Sequence, residues 1–411
     1  MNGYQISRRG MLLAAGAVAG GWLLRDAAAG AAVAPTIHLA ATDGFISLPG
    51  NVAGVHPDPL APGPFTTWGI GFRDVTALTT TQVKAQKGRL EAPAPMWWVN
   101  EMQDTRVQLT NLGLAVRPDL LDSHTVHWHG FRNAIPLFDG VPELSVAVPP
   151  GRAFTYFYRP RDPGTYMYHC HFEDVEHVSM GMTGIVFVRP KQNAGAPGIP
   201  AGRYVYNDGD GSTAYAREWG MFLSEAWTKE RFEGAHIQEH DWSEYDADVW
   251  LLNGRSYPDT LAPNGGGNAA NGDLIAPTGH PKLKYQPLSS LVRCMSGEKV
   301  LLRLVNLGFQ QHTMTLAGIP MRVVGKDATL LRGRDGTDNT YVTNAIHIGP
   351  GESVDAIFTA PPVTAETVYL LYNRAYATLS NPGLTGLGGQ VTQVRVLPAG
   401  SGLPPQTKPN T

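Results

Sequence analysis

Four short segments of this chain occur twice, in the same order. VQLTNLG (107–113) returns as LRLVNLG (302–308), HTVHWHG (124–130) as HTMTLAG (312–318), YMYHCH (166–171) as LLYNRA (370–375), and GMTG (181–184) as GLGG (386–389). A chain of 411 residues that carries one pattern twice is confined to folds built from two copies of one domain, and each copy falls within the usual domain size. The repeated segments alternate apolar and polar residues, as do TGIVFVRP, VWLLNGRSYP and ESVDAIFTAPP, and most end at Gly, Pro or Asn. That period of two is a strand signal. With 47 glycines, 32 prolines and only 16% charged residues, the reading is all-β.

The expected layout places the first β-domain over 35–191 and the second over 245–400, with a tail over 401–411. Between the domains, 192–244 reads as a connecting segment that opens with the Gly/Pro-rich stretch QNAGAPGIPAG, and PNGGGNAANGD (263–273) reads as a mobile loop insertion. Residues 1–34 read as a twin-arginine export signal: SRRGMLL, an apolar run, then small residues. The run is too short for a stable membrane span, which needs about 20 residues. A net charge of -3 and the lack of a Lys/Arg run beyond the N-terminus argue against nucleic acid as a partner. With only two cysteines, the fold does not rest on disulfides, and Cys294 is expected to be buried in the strand SSLVRC.

The first copy is rich in metal-binding residue types. Alternate side chains on a strand share a face, so His169 and His171 should point one way and Cys170 the other. The same parity separates His127 and His129 from His124. Two groups result: His127, His129, His169 and His171 on one side, and His124 with Cys170 on the other, where His177 and a methionine can join from the following loop. A thiolate, two imidazoles and a weak thioether are the donors of a blue, type 1 copper site. Zinc is the competing metal, but it favours Cys, His and carboxylate and has no use for methionine. Met182 is preferred to Met180 because Gly181 and Gly184 flank it in a tight return to the strand GIVFV. The two H-x-H pairs suit a second copper centre. No G-x-S-x-G elbow is present for a hydrolase.

HTVHWHG followed by YHCHFEDVEHVSMGM resembles the multicopper oxidases, particularly their two-domain bacterial branch, which is itself similar to copper nitrite reductase. The similarity runs from about Phe45 to the end. It implies two tandem cupredoxin-like Greek-key β-sandwiches. It also implies type 1 copper on His124, Cys170, His177 and Met182, and half of a type 2/3 cluster on His127, His129, His169 and His171. Electrons would pass through Cys170 and its flanking histidines. FDGVPELS (138–145) resembles the segment whose aspartate helps relay protons, which makes Asp139 a catalytic candidate.

The second copy departs from the pattern. Aligned by eye, Thr315 and Ala317 replace His127 and His129, Asn373 and Ala375 replace His169 and His171, Arg374 replaces Cys170, and Leu387 replaces Met182. Only His312 survives, opposite His124. In a homotrimer of the kind the resemblance implies, His312 of one subunit would approach the next subunit's histidines as ligand or proton donor; the bland alternative is a hydrogen-bonded core histidine. His236, His240, His280 and His347 lie outside the motifs and are expected at the surface or in loops. The expected function is a copper oxidoreductase that takes single electrons from a phenol, aromatic amine or metal ion and passes them to oxygen or another small acceptor. The alternative is an exported blue-copper electron carrier.

Overall fold

In the strand Thr105–Asn111, buried and half-buried residues alternate strictly, as TRVQLTN demands of a sheet with one face inward. The computed structural model describes residues 34, 36–49, 58–236 and 240–411, so nearly all of the expected export signal lies outside the described residues. The first half folds as two four-stranded sheets. One orders β2 (Thr66–Asp74), β1 (Ile37–Ser47), β4 (Thr105–Asn111) and β6 (Ala153–Tyr158); the other orders β3 (Ala94–Asn100), β8 (Thr183–Arg189), β7 (Gly164–His169) and β5 (His127–His129). Trp68, Phe72, Trp97, Trp128, Tyr156 and Tyr168 fill the space between them.

The second half repeats the plan. A seven-stranded sheet runs β10 (Val249–Leu252), β9 (Arg217–Ala226), β14 (Lys299–Asn306), β20 (Ser353–Thr359), β16 (Met321–Lys326) and β17 (Thr329–Leu330), with β18 (Tyr341–Thr343) also on β16. A five-stranded sheet faces it: β13 (Val292–Met295), β22 (Val391–Leu397), β21 (Thr367–Asn373), β15 (His312–Leu316) and β19 (Ala345–Ile348). Among the described residues the α-helices are few and short: Thr80–Lys84, Asp174–Met180 and Thr228–His236. Among the described residues, no helix is long and apolar enough to cross a membrane. The all-β reading is borne out, and Cys294 is buried on β13 as expected.

Two expectations give way. The connecting segment expected over 192–244 contains β9, which pairs in parallel with β14 as an interior strand of the second half. Its core, WGMFL, shows no alternation because both faces are buried. The stretch 263–273, expected as a mobile insertion, forms a small hairpin, Gly266–Gly267 with Leu274–Ile275, docked on the first half. Arg73 donates to the Gly272 carbonyl at 2.7 Å and Gln82 to the Ala270 carbonyl at 2.9 Å.

The halves meet along β7 and β8, where Met167, Ile185 and Phe187 pack on Phe222, Val305 and Leu307. Beside that apolar seam, the buried Arg303 reaches Thr165 Oγ1 at 2.8 Å and Glu218 at 3.0 Å. Thr165 Oγ1 donates to Asp355 at 2.6 Å, and Ser353 Oγ donates to the Thr165 carbonyl at 2.6 Å. The second half thus grips β7 four residues before His169. Burying these charges is tolerable because each finds partners.

Candidate metal centres

Cys170 follows the last residue of β7 and is fully buried. Its main-chain N–H donates to the Met182 carbonyl at 3.1 Å, which fixes the return loop, and its sulfur accepts the Thr125 N–H at 3.4 Å. Two imidazole nitrogens face that sulfur, His124 Nδ1 at 3.8 Å and His177 Nδ1 at 3.4 Å, and the two rings are 4.7 Å apart. His177 arrives on the helix Asp174–Met180, and the Met182 side chain is fully buried in the same core. Met180 is buried too, but its methyl end packs on Gly234, where an added β-carbon would lie 3.0 Å from Met180 Cε.

Burial holds His124 well below the ordinary imidazole value, and the neighbouring His177 adds to the effect. His177 goes the other way. Burial opposes its charge, yet the Cys170 sulfur and Asp122 outweigh that and lift it to about 10. The Nε2 atoms of both rings are buried without hydrogen-bond partners. A soft sulfur with two imidazole Nδ1 atoms turned toward it is a donor set that fits a copper ion.

The parity argument holds for the other group. His127 pairs with His169 across β5 and β7, and His127, His129 and His169 converge with ligand atoms within 4.8 Å of one another. His129 Nδ1 lies 3.3 Å from His169 Nε2. His171 flanks them, its ring 5.1 Å from that of His127 and 5.6 Å from that of His169, with Nδ1 3.8 Å from Asp174. His127 Nδ1 bonds the Asp139 carbonyl at 2.6 Å and His169 Nδ1 the Cys170 carbonyl at 2.8 Å. Both rings therefore carry the proton on Nδ1 and keep a lone pair on Nε2, which in His169 faces His129 Nδ1. Burial, then the neighbouring imidazoles, lowers His169 to about 3, and burial lowers His127 and His129, so all three are neutral donors near pH 7. Asp139 sits against His127, with its carboxylate 3.7 Å from Nδ1. The next residue has to be glycine: Gly140 has φ +78°, and a β-carbon there would collide with the Val126 carbonyl.

The second half contains the same frame with different donors, in a register one residue from the alignment by eye. His127 pairs with His169, and Thr315 pairs with Tyr372. Thr125 N–H donates to Cys170 Sγ, and Thr313 N–H donates to Asn373 Oδ1 at 3.3 Å. Cys170 N–H donates to the Met182 carbonyl, and Asn373 N–H to the Gln390 carbonyl at 3.1 Å. Asn373 thus occupies the place of Cys170, Tyr372 that of His169, Arg374 that of His171, and Gln390, not Leu387, that of Met182. His312 does keep the place of His124. It is fully buried, accepts from Asn373 Nδ2 at 2.8 Å and lies 3.4 Å from Glu225. With no exposed surface on its side chain, His312 cannot reach another subunit's histidines in this conformation, so its catalytic assignment gives way to that of a core histidine.

His347 is exposed, but His240 is not at the surface: its side chain is 3% exposed. Sequence reasoning also missed Thr125, whose hydroxyl accepts the His171 N–H at 2.8 Å, and Asp122, 3.8 Å from His177 Nε2. The dipeptide His-Thr recurs at 124–125 and 312–313, a signal that could have marked Thr125.

Two models described as "Multicopper oxidase" match residues 75–193 and 227–394. Laccase-13 of Arabidopsis thaliana is 26% identical over 64% of this chain and 40% of its own length. A multicopper oxidase of Talaromyces pinophilus is 33% identical over 26% of this chain and 16% of its own length. The chain thus spans less than half of either relative. Among solved structures, the blue copper oxidase from Nitrosomonas europaea superposes with a TM-score of 0.60 at 22% identity, covering 87% of this chain and 85% of that one, a likeness of fold. Two matched regions of one family, on a tandem cupredoxin-like fold, carry the conclusion that the chain belongs to the multicopper oxidase family.

Proposed function

We propose that this chain is a copper-dependent oxidoreductase that withdraws single electrons from a small reduced donor, a phenol, aromatic amine or metal ion, and delivers them to oxygen. Copper would be held by His124, Cys170, His177 and Met182, and in a second centre by His127, His129, His169 and His171. Bound there, copper supplies one-electron redox chemistry and Lewis acidity. One observation carries the reading: Cys170 belongs to the first donor group, while its carbonyl holds Nδ1 of His169, a member of the second, at 2.8 Å. The two groups are joined by one residue and one hydrogen bond. Asp139 holds His127 through its carbonyl, and its carboxylate lies 3.7 Å from the same ring nitrogen, which supports the proton-relay reading of this residue.

The test is copper per chain in fully loaded protein, with the visible spectrum and oxygen uptake. Two or more coppers, a blue band and turnover are expected. One copper with a blue band and no turnover would return the chain to an electron carrier, and no blue band would overturn the role of Cys170.

Two further readings belong here. Export by the twin-arginine route is supported by the sequence at 7–34, and fractionation of cells expressing the whole chain tests it. A homotrimer is supported by the histidine group's open side, where His171 is 32% exposed and a second copy could cover it; the mass in solution decides. The neighbour's contribution would not be His312.

A further inference from the structure

His240 brings an imidazole among carboxylates outside both donor groups. Its side chain is 3% exposed, and neither ring nitrogen has a hydrogen-bond partner among the described residues. A buried polar ring left so is costly and calls for an explanation. Its Nε2 lies 3.8 Å from Glu176 Oε1, and its Nδ1 lies 3.8 Å from Glu233 Oε2. Both separations are too long for hydrogen bonds. Glu176 precedes His177, and Asp122 and Glu173 lie against His177, with ligand atoms of those three residues within 4.8 Å of one another. The nearby cations are turned elsewhere: Arg117 donates to Asp119 and the Gly234 carbonyl, and Arg231 to the carbonyls of Trp68 and Ser179.

We propose that His240 Nε2 and Glu176 form a binding site for a divalent transition-metal ion, separate from both copper groups and one residue from His177. Glu233, 3.8 Å from Nδ1, is the carboxylate that would draw in to that nitrogen when the ion binds, setting the tautomer and turning the Nε2 lone pair toward Glu176. One nitrogen and carboxylate oxygen suit a borderline divalent ion, with water in the remaining positions. The site sits at the edge of the first donor group, so its occupant adds positive charge beside His177.

Zinc, which has no redox chemistry of its own, is the probe. Full-length, copper-saturated protein is titrated with zinc by calorimetry, alongside His240→Gln and Glu233→Gln. The wild type is expected to bind one zinc per chain that His240→Gln does not bind, and Glu233→Gln should weaken that zinc by about 10- to 100-fold. No zinc bound by the wild type, or equal binding by His240→Gln, overturns the site. The blue band, recorded on the same samples, reports the Cys170 group independently. If the band is absent but the zinc is still lost in His240→Gln, the proposed copper function fails and this site stands. Retention of native circular dichroism by the variants ties the loss to the ligand rather than to unfolding.

Discussion

Cys170 and Asn373 occupy the same point in two copies of one fold, held by the same hydrogen bonds, yet only one is surrounded by metal donors. Around the Cys170 thiol stand two imidazoles, with the thioether of Met182 buried in the same core. Around Asn373 they are one imidazole, a carboxamide and a carboxylate: its Nδ2 donates to His312 and to Gln390 Oε1, both at 2.8 Å, and Gln390 bonds the carbonyls of Ser224 and Leu251. The first pocket leaves ring nitrogens unpartnered, whereas the second hands most of its polar atoms to one another. The difference teaches that the β-sandwich supplies positions while a few side chains decide whether those positions hold a cation or a closed hydrogen-bond network.

Making the first site like the second should have the largest effect. Cys170→Asn is expected to remove the blue band and one copper per chain and to reduce turnover to background, while far-ultraviolet dichroism stays native. A surviving blue band would show that the sulfur is not the donor. Stripping copper should come next, and should act on one half only. Loss of a ligand present at a thousand times its dissociation constant costs about 4 kcal/mol. Hydrogen exchange should therefore quicken in β7 and β8 and remain unchanged in β21 and β22; equal quickening in both would end the distinction.

In the second half, Asn373→Ala removes an amide that serves two buried acceptors and accepts from two main-chain N–H groups. With the two buried acceptors left unsatisfied at about 1–3 kcal/mol each, urea denaturation should show a loss of about 2–6 kcal/mol, with copper content untouched. The mildest change is Met182→Gln, which borrows the residue found at 390. Glutamine is an acceptable weak axial donor, so copper per chain should hold while the blue band and reduction potential move. Loss of the metal would mean that Met182 is more than a weak donor.

Much of this was legible in the sequence, and the failures share a cause. Strand parity alone sorted His127, His129, His169 and His171 from His124 and Cys170, because a period of two leaves no freedom once the strand is recognised. Alignment of YMYHCH with LLYNRA rested on look-alike letters, and a slip of one residue on a strand exchanges its two faces. The correct register is set by hydrogen bonds from Thr125 and Thr313, which letters do not display. The strand β9 was hidden because burial on both faces erases alternation. His240 lies in a loop, one of the two places expected for it, but its burial was not legible because nothing local in the sequence brings Glu176 and Glu233 within 3.8 Å of its ring.

The grip on β7 has a consequence of its own. Thr165 gives its amide and hydroxyl to Asp355 and its carbonyl to Ser353, and takes a bond from Arg303, all from the half that has no thiolate pocket. A strand pinned this way has little room to breathe when the charge at its end changes. The donor residues that follow it are therefore held in one arrangement by contacts outside their own copy. The second copy, which lacks those donors, is the vice that keeps the first copy's in place.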